Sequence, residues 1–308
     1  MRVATMEKTR REGASSMATS VKRAGSQVFR IMGSMTASVR PLPDFLLIGT
    51  KRGGTTSLYY DILKLPNILT LFPSARHLPK ANETKGIHYF DTNYWRGERW
   101  YRSHLPSKWA RQRAEQAHGG RVVVGEASPY YLFHPLAAER AVRLVPDAKL
   151  ILLLRDPVMR TYSHWKERRR NNAEPLEFRA AIEAEEARLA GEAAKLKADP
   201  TYYSYAHEQQ SYVAQSRYID ALMPWVERFG LDKILVLASE EYYADPSSIA
   251  QQIATFVGID YVPVELGEHR NAAAGEALDG ETQAYLQTLF AEDNARLEAL
   301  IGRSLPWT

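Results

Sequence analysis

The 308-residue chain reads as a three-layer α/β domain, P-loop-like at its first turn, with a central parallel sheet flanked by helices. Three observations predict this. Four apolar runs of strand length are continuous rather than alternating, as in strands covered on both faces. Longer helical patterns separate them, which implies right-handed βαβ units. The first run ends in a glycine turn that opens onto a helix.

The elements follow in order. Arg40 to Pro43 ("RPLP") reads as the end of a linker, dividing a basic leader (1–40) from a body (41–308). "DFLLIGT" (44–50) is the first strand, and a helix is expected from Thr55 to Leu65, ended by Pro66. "RVVVGEA" (121–127), "KLILLLR" (149–155) and "DKILVLASEE" (232–241) are the other strands. "DPVMRTYSHWKERRR" (156–170) places Pro157 at a first helical position. Residues 176–198, rich in Ala, Glu and Lys, read as one exposed amphipathic helix. Residues 210–230 and 245–259 complete the alternation, and no internal repeat is visible.

Composition removes several classes of function. With no cysteine, disulfides, zinc-thiolate sites and cysteine nucleophiles are excluded. No apolar run reaches the roughly 18 residues a membrane span requires, and no signal-peptide core is present, so a cytoplasmic location is expected. The net charge of +4 is uneven: residues 1–40 carry eight Lys/Arg against Glu7 and Glu12, which leaves the body mildly acidic. That argues against a nucleic-acid-coating surface. The leader has the composition of a disordered segment. Its stretch "VKRAGSQVFRIMGSM" also suits a short basic amphipathic helix at a membrane or partner surface, and both readings stand.

Candidate chemistry starts at "DFLLIGTKRGGTTSLYY" (44–60). Gly49 and Gly54 have the phosphate-loop spacing, but Thr55 stands where that loop has lysine and Thr56 where it has the hydroxyl. Backbone N–H groups at a helix N-terminus form an anion site. Gly53 and Gly54 allow close approach, Thr55, Thr56 and Ser57 add hydroxyls, and Lys51 and Arg52 bring charge. Taken alone, the pattern also fits a tight turn whose glycines serve geometry. A second stretch shifts the balance: Arg155 ends a strand, facing the crevice where open α/β sheets bind ligands, and Ser163 follows two helical turns on. Guanidinium and hydroxyl are phosphate-binding groups, although an ion pair and a surface hydroxyl would explain each singly.

These two stretches resemble the signature segments of sulfotransferases that use 3′-phosphoadenosine 5′-phosphosulfate (PAPS), the first holding the 5′-phosphosulfate and the second the 3′-phosphate. The resemblance runs along most of 43–308. "KGIHYFD" (85–91), "VGEASPYYLFHP" (124–135) and "NARLEALIGRSLPW" (294–307) are similar to segments of the heparan-sulfate glucosaminyl branch, in the same order. It implies transfer of a sulfuryl group from PAPS to a hydroxyl or amine of a sugar or small-molecule acceptor, with 3′-phosphoadenosine 5′-phosphate (PAP) as product and no metal. In that alignment Arg52 takes the place of the loop lysine at the bridging oxygen, with Lys51 a possible substitute.

The branch's catalytic glutamate falls on Gly86, so the base is open between His88, which has a suitable ordinary pKa, and Glu126, with Glu83 and Asp91 nearby in sequence only. Arg270 corresponds to a late phosphate-contacting loop. Tyr218 lies near the nucleotide or in the core. Trp95, Trp100, Tyr101, Tyr130 and Tyr131 suit sugar stacking or a core, and "KERRRNN" (166–172) an anionic acceptor or a solvated helix end. A non-catalytic PAP/PAPS-binding protein, for which Gly86 and Ala127 speak, and a kinase or NTPase, against which Thr55 speaks, are the competing classes.

Overall fold

The structure, a computed structural model, describes residues 28–73, 85–267 and 278–308. Helix α1 covers residues 28–35 and joins the body: Arg30 donates to Ser103 Oγ at 3.4 Å, and the buried Arg40 lies over the Phe72 ring at 4.2 Å. The earlier part of the expected leader lies outside the described residues.

Strand β1 (Phe45–Gly49) leads through the glycine turn into α2 (Thr55–Ile62). The short β2 (Ile68–Leu69), α3 (Gly97–Arg102) and α4 (Lys108–His118) precede β3 (Val123–Ala127). Then come α5 (Ala137–Leu144), β4 (Lys149–Leu154) and α6 (Pro157–Arg170). Pro157 does occupy the first turn of α6, and the Asp156 side chain caps it by accepting from the Val158 and Met159 N–H groups.

The stretch 176–198 departs from expectation. It forms three short helices, α7 (Phe178–Glu183), α8 (Glu185–Leu189) and α9 (Glu192–Ala198). The breaks turn two glutamates inward. Glu185 accepts from the Val213 and Ala214 N–H groups at 2.7 Å each, and Glu192 accepts from Tyr202 Oη at 2.8 Å. Burying two carboxylates with partners outweighs helix continuity here. After α10 (Tyr205–Gln209), α11 begins only at Tyr218 and runs to Phe229, because Ser211, Gln215 and Ser216 are buried in the preceding turns. Strand β5 (Ile234–Ala238), α12 (Ser239–Ala244), α13 (Pro246–Val257) and α14 (Gly280–Ile301) end the chain.

The sheet is parallel throughout, in the order β2-β3-β1-β4-β5. Both faces are covered, as the continuous apolar runs require. Leu46, Ile48, Leu150, Leu152 and Leu154 belong to one core with Trp225 and Phe229 of α11; Phe45, Leu47, Ile151 and Leu153 belong to the other with Leu58 of α2 and Ile253 of α13. Each such fully buried side chain contributes about 1.5–3 kcal/mol.

Topology positions the site. From β1 the chain goes out to the edge strand β2, returns to insert β3 beside β1, then crosses to add β4 and β5 on the other side. The reversal falls between β1 and β4, whose carboxyl ends carry the two stretches singled out in the sequence. Among the described residues, no helix is long and apolar enough to cross a membrane.

Candidate active site

The turn after β1 is shaped by its glycines. Gly54 has φ +89° and starts α2 from the left-handed region, where a side chain is strained. Gly53 packs so closely that an added Cβ would stand 2.7 Å from the Leu153 carbonyl oxygen of β4. The loop is thus held against the neighbouring strand, and Ser239 Oγ donates to the Gly53 carbonyl from the start of α12.

Arg52 and Ser163 join the two stretches directly. The Arg52 guanidinium donates to Ser163 Oγ from Nε at 3.3 Å and from Nη2 at 3.2 Å. Its pKa is lowered by burial and by repulsion from Arg155, Arg170 and Arg168, while Glu167 acts against this. A side chain in such a place is stabilised by an arriving anion. Among the described residues the Arg155 side chain has no hydrogen-bond partner, and its carbonyl is held by Tyr218 Oη at 2.8 Å. Tyr218 is otherwise a core residue.

Lys51 lies differently from Arg52. Its ammonium donates to Glu208 Oε1 at 3.2 Å and Gln209 Oε1 at 2.7 Å, so its charge is engaged by α10. Its carbonyl accepts from Arg160 Nε at 2.9 Å; Arg160 is fully buried and also donates to Gln215 Oε1 at 2.7 Å.

The sequence reading missed Lys85. Its ammonium donates to Thr55 Oγ1 at 3.1 Å and Thr56 Oγ1 at 2.8 Å. A lysine from a distant segment thus stands on the two hydroxyls that occupy the lysine and hydroxyl positions of the phosphate-loop pattern. Burial lowers its pKa to about 7. Ser57 and Thr55 are themselves buried, so Thr56 is the hydroxyl of this group least enclosed. The signal was present, since Lys85 opens the "KGIHYFD" segment.

The two candidate bases are each held by partners of their own. Glu126 is 0% exposed and accepts four hydrogen bonds, from Ile87 N (2.9 Å), Ser128 Oγ (2.6 Å), Tyr131 Oη (2.6 Å) and Tyr101 Oη (3.3 Å). Burial pushes its carboxyl up, and the bonds from Ser128, Tyr131 and Ile87 oppose that. With both oxygens engaged and none of its surface exposed, Glu126 ties the wall of the site together. His88 Nδ1 pairs with Asp91 Oδ2 at 2.8 Å. Burial lowers the imidazole's pKa, but the fully buried Asp91 outweighs it and holds the ring up to about 9. At neutral pH His88 is an imidazolium, which donates a hydrogen bond or supplies charge and is not a ready proton acceptor.

A stability consequence follows. The His88 pKa is raised on folding, so its contribution is complete below the unfolded value near 6.5 and is lost as pH rises through 9. The ring is 38% exposed, which limits the effect to about 1 kcal/mol after solvent screening. Wild type is expected to lose its advantage in thermal midpoint over His88→Gln between these pH values. A constant difference across the range would remove the ion pair from the stability account.

Of the aromatic candidates, Tyr101, Tyr130 and Tyr131 are core residues, whereas Trp95 is exposed, with Arg96 over its ring at 4.4 Å. The basic run at the end of α6 is tied into ion pairs, Arg168 with Glu167 and Arg169 with Glu177. Arg270 and Glu83 lie outside the described residues.

The family model for the sulfotransferase domain matches residues 42–282. The chain is 25% identical to a membrane-associated sulfotransferase, kil1, of Dictyostelium discoideum, over 86% of this chain and 66% of the relative. It is 28% identical to human bifunctional heparan sulfate N-deacetylase/N-sulfotransferase 3, over 86% of this chain and 31% of that protein. The chain thus spans less than two thirds of the length of these relatives. Among solved structures, a sulfotransferase from Alicyclobacillus acidocaldarius shares 28% identity with a TM-score of 0.58, covering 86% of this chain and 98% of that one.

Proposed function

The chain belongs to the sulfotransferase domain family, and from that premise we propose that it transfers a sulfuryl group from PAPS to a hydroxyl or amine of a sugar or glycoconjugate. The observation that carries this reading is the Arg52–Ser163 link between the two loops at the sheet's switch point, with Lys85 on the adjoining hydroxyls. Cations are thereby gathered over two loops, as a bisphosphate needs. Sulfuryl transfer asks for positive charge at the leaving bridging oxygen and donors around the equatorial oxygens. Arg52 and Lys85 supply the charge, the backbone N–H groups at the start of α2 and Thr56 supply donors, and Arg155 and Ser163 take the 3′-phosphate. The sugar acceptor is inferred from the relatives named above.

Calorimetry with PAP in the presence of a chelator tests the nucleotide, and turnover of labelled PAPS on sugar acceptors tests the reaction. Binding is expected without a divalent ion. It should also depend on pH through Lys85. An anion raises the pKa of that ammonium above its free value of about 7, so affinity is full below pH 7 and falls by up to tenfold per unit above it. Lys85→Met should bind more weakly at pH 6.5 and lose this slope. If PAP does not bind while ATP with Mg²⁺ does, a kinase or NTPase replaces this reading; if PAP binds but no acceptor is ever sulfated, a binding protein does.

A further inference from the structure

The position that bears a catalytic glutamate in the heparan-type pattern is Gly86, and the structure gives no room for one there. A Cβ on Gly86 would stand 2.6 Å from the Ala127 carbonyl oxygen, 2.9 Å from Ser128 Oγ and 3.2 Å from His88 Nε2. The space a side chain would use is filled by the end of β3, by Ser128 after it and by the His88 ring. A carboxylate serving the reaction must then come from elsewhere in the fold.

The acidic side chains around the loops can be taken in turn. Glu126 is enclosed by its four donors, and Asp91 is fully buried against His88. Glu167 is bound to Arg168 at 2.6 Å. Glu240 accepts from the Asp156 N–H at 3.1 Å, beneath the start of α6. Glu208 is ion-paired as Glu167 is, but its partner stands on the donor loop itself: one of its oxygens lies 3.2 Å from Lys51 Nζ. It is within electrostatic reach of His88, two residues after Gly86, and of Tyr130 in the turn after β3. Glu208 therefore lies between the donor loop and the wall that carries Gly86.

Its placement is supported from behind. The Glu208 carbonyl accepts from Gln215 Nε2 at 2.9 Å, and Gln215 Oε1 accepts from Arg160, the same buried guanidinium that holds the Lys51 carbonyl. On the other side of α10, His207 stacks on Phe133 and its Nδ1 meets Tyr130 Oη at 2.8 Å. A carboxylate fixed by the same residue as the donor loop has the preorganisation that proton transfer requires.

We propose that Glu208 is the general base, supplied from α10 in place of the glutamate missing at position 86. This rests on the sulfuryl-transfer reading above. In the step, the acceptor oxygen bonds to sulfur as the sulfur–oxygen bond to the 5′-phosphate breaks. The acceptor's proton passes to a Glu208 carboxylate oxygen, and the electron pair of the broken bond leaves on the phosphate oxygen.

Glu208→Gln separates this role from simple pairing, because the amide oxygen can still accept from Lys51 but cannot take a proton at neutral pH. The variant is expected to keep its thermal midpoint and its PAP affinity while kcat falls about 100-fold; Glu208→Asp should recover part of kcat. Two results overturn the proposal: a Gln variant that turns over within a few-fold of wild type, or one whose PAP affinity falls together with kcat, which would make Glu208 a residue that positions Lys51. If wild type itself neither binds PAP nor transfers sulfate, the underlying reading fails, and that outcome is distinct from both.

Discussion

Replacing Glu126 by alanine is expected to lower the unfolding free energy by about 3–5 kcal/mol, from a stranded buried donor and the cavity left behind. The carboxylate joins three pieces of chain to β3: the 85–91 segment through Ile87, α3 through Tyr101, and the turn after β3 through Ser128 and Tyr131. The hydroxyls can turn toward other acceptors, but the Ile87 N–H is fixed by the backbone and would be stranded at about 1–3 kcal/mol. A cavity among Tyr101, Tyr131 and Phe90 adds the rest. Urea unfolding at neutral pH measures this. Glu126→Gln should cost less, since it leaves no cavity and Oε1 still accepts from the two tyrosines, although its amide N–H then opposes the Ile87 N–H. A loss below about 1 kcal/mol, accompanied by loss of turnover, would falsify the structural assignment of Glu126 and return it to the reaction.

Arg52→Ala should reduce turnover by about 10²–10³-fold, the range for removing one charge-stabilising group from a preorganised site. Two effects combine in it. The cation we assign to the leaving oxygen is lost, and so is the bond to Ser163 that ties the first loop to the second. Arg52 also sits at φ 69°, where a residue with a Cβ is strained. Arg52→Gly therefore removes the guanidinium while easing the backbone, and it should be at least as stable as wild type yet as inactive as the alanine variant. Arg52→Lys should recover a fraction of the rate, since it restores charge without the two-nitrogen contact. Single-turnover rates at saturating donor check the series. Full activity in the glycine variant would pass the role to Lys85.

The sheet was legible because parallel strands buried on both faces announce themselves as unbroken apolar runs, and all four long ones are present with ends displaced by no more than a few residues. Strand β2, with only Ile68 and Leu69, is too short to leave a pattern. The stretch 176–198 misled because its glutamates look solvated in a list of residues, yet Glu185 and Glu192 find partners far along the chain. The same limit governs the site. Arg52 and Ser163 were readable because each sits in a local motif, and the fold brings them into contact. Lys85 stands in a recognised segment, but its reach to Thr55 and Thr56 depends on how that segment docks. Glu208, in "YAHEQQ", carries no motif at all, and only the packing of α10 brings it to Lys51.

The reach of Lys85 has a consequence for assembly. A phosphate loop with its own lysine is complete as soon as its strand, turn and helix have formed. Here the ammonium is delivered from across the cleft, by a segment that Glu126 anchors through the Ile87 N–H and whose Lys85 carbonyl accepts from the Ala127 N–H at 3.0 Å. Loosening the far wall thus strips charge from the donor cradle without touching it, and substitutions there would register as weakened nucleotide capture.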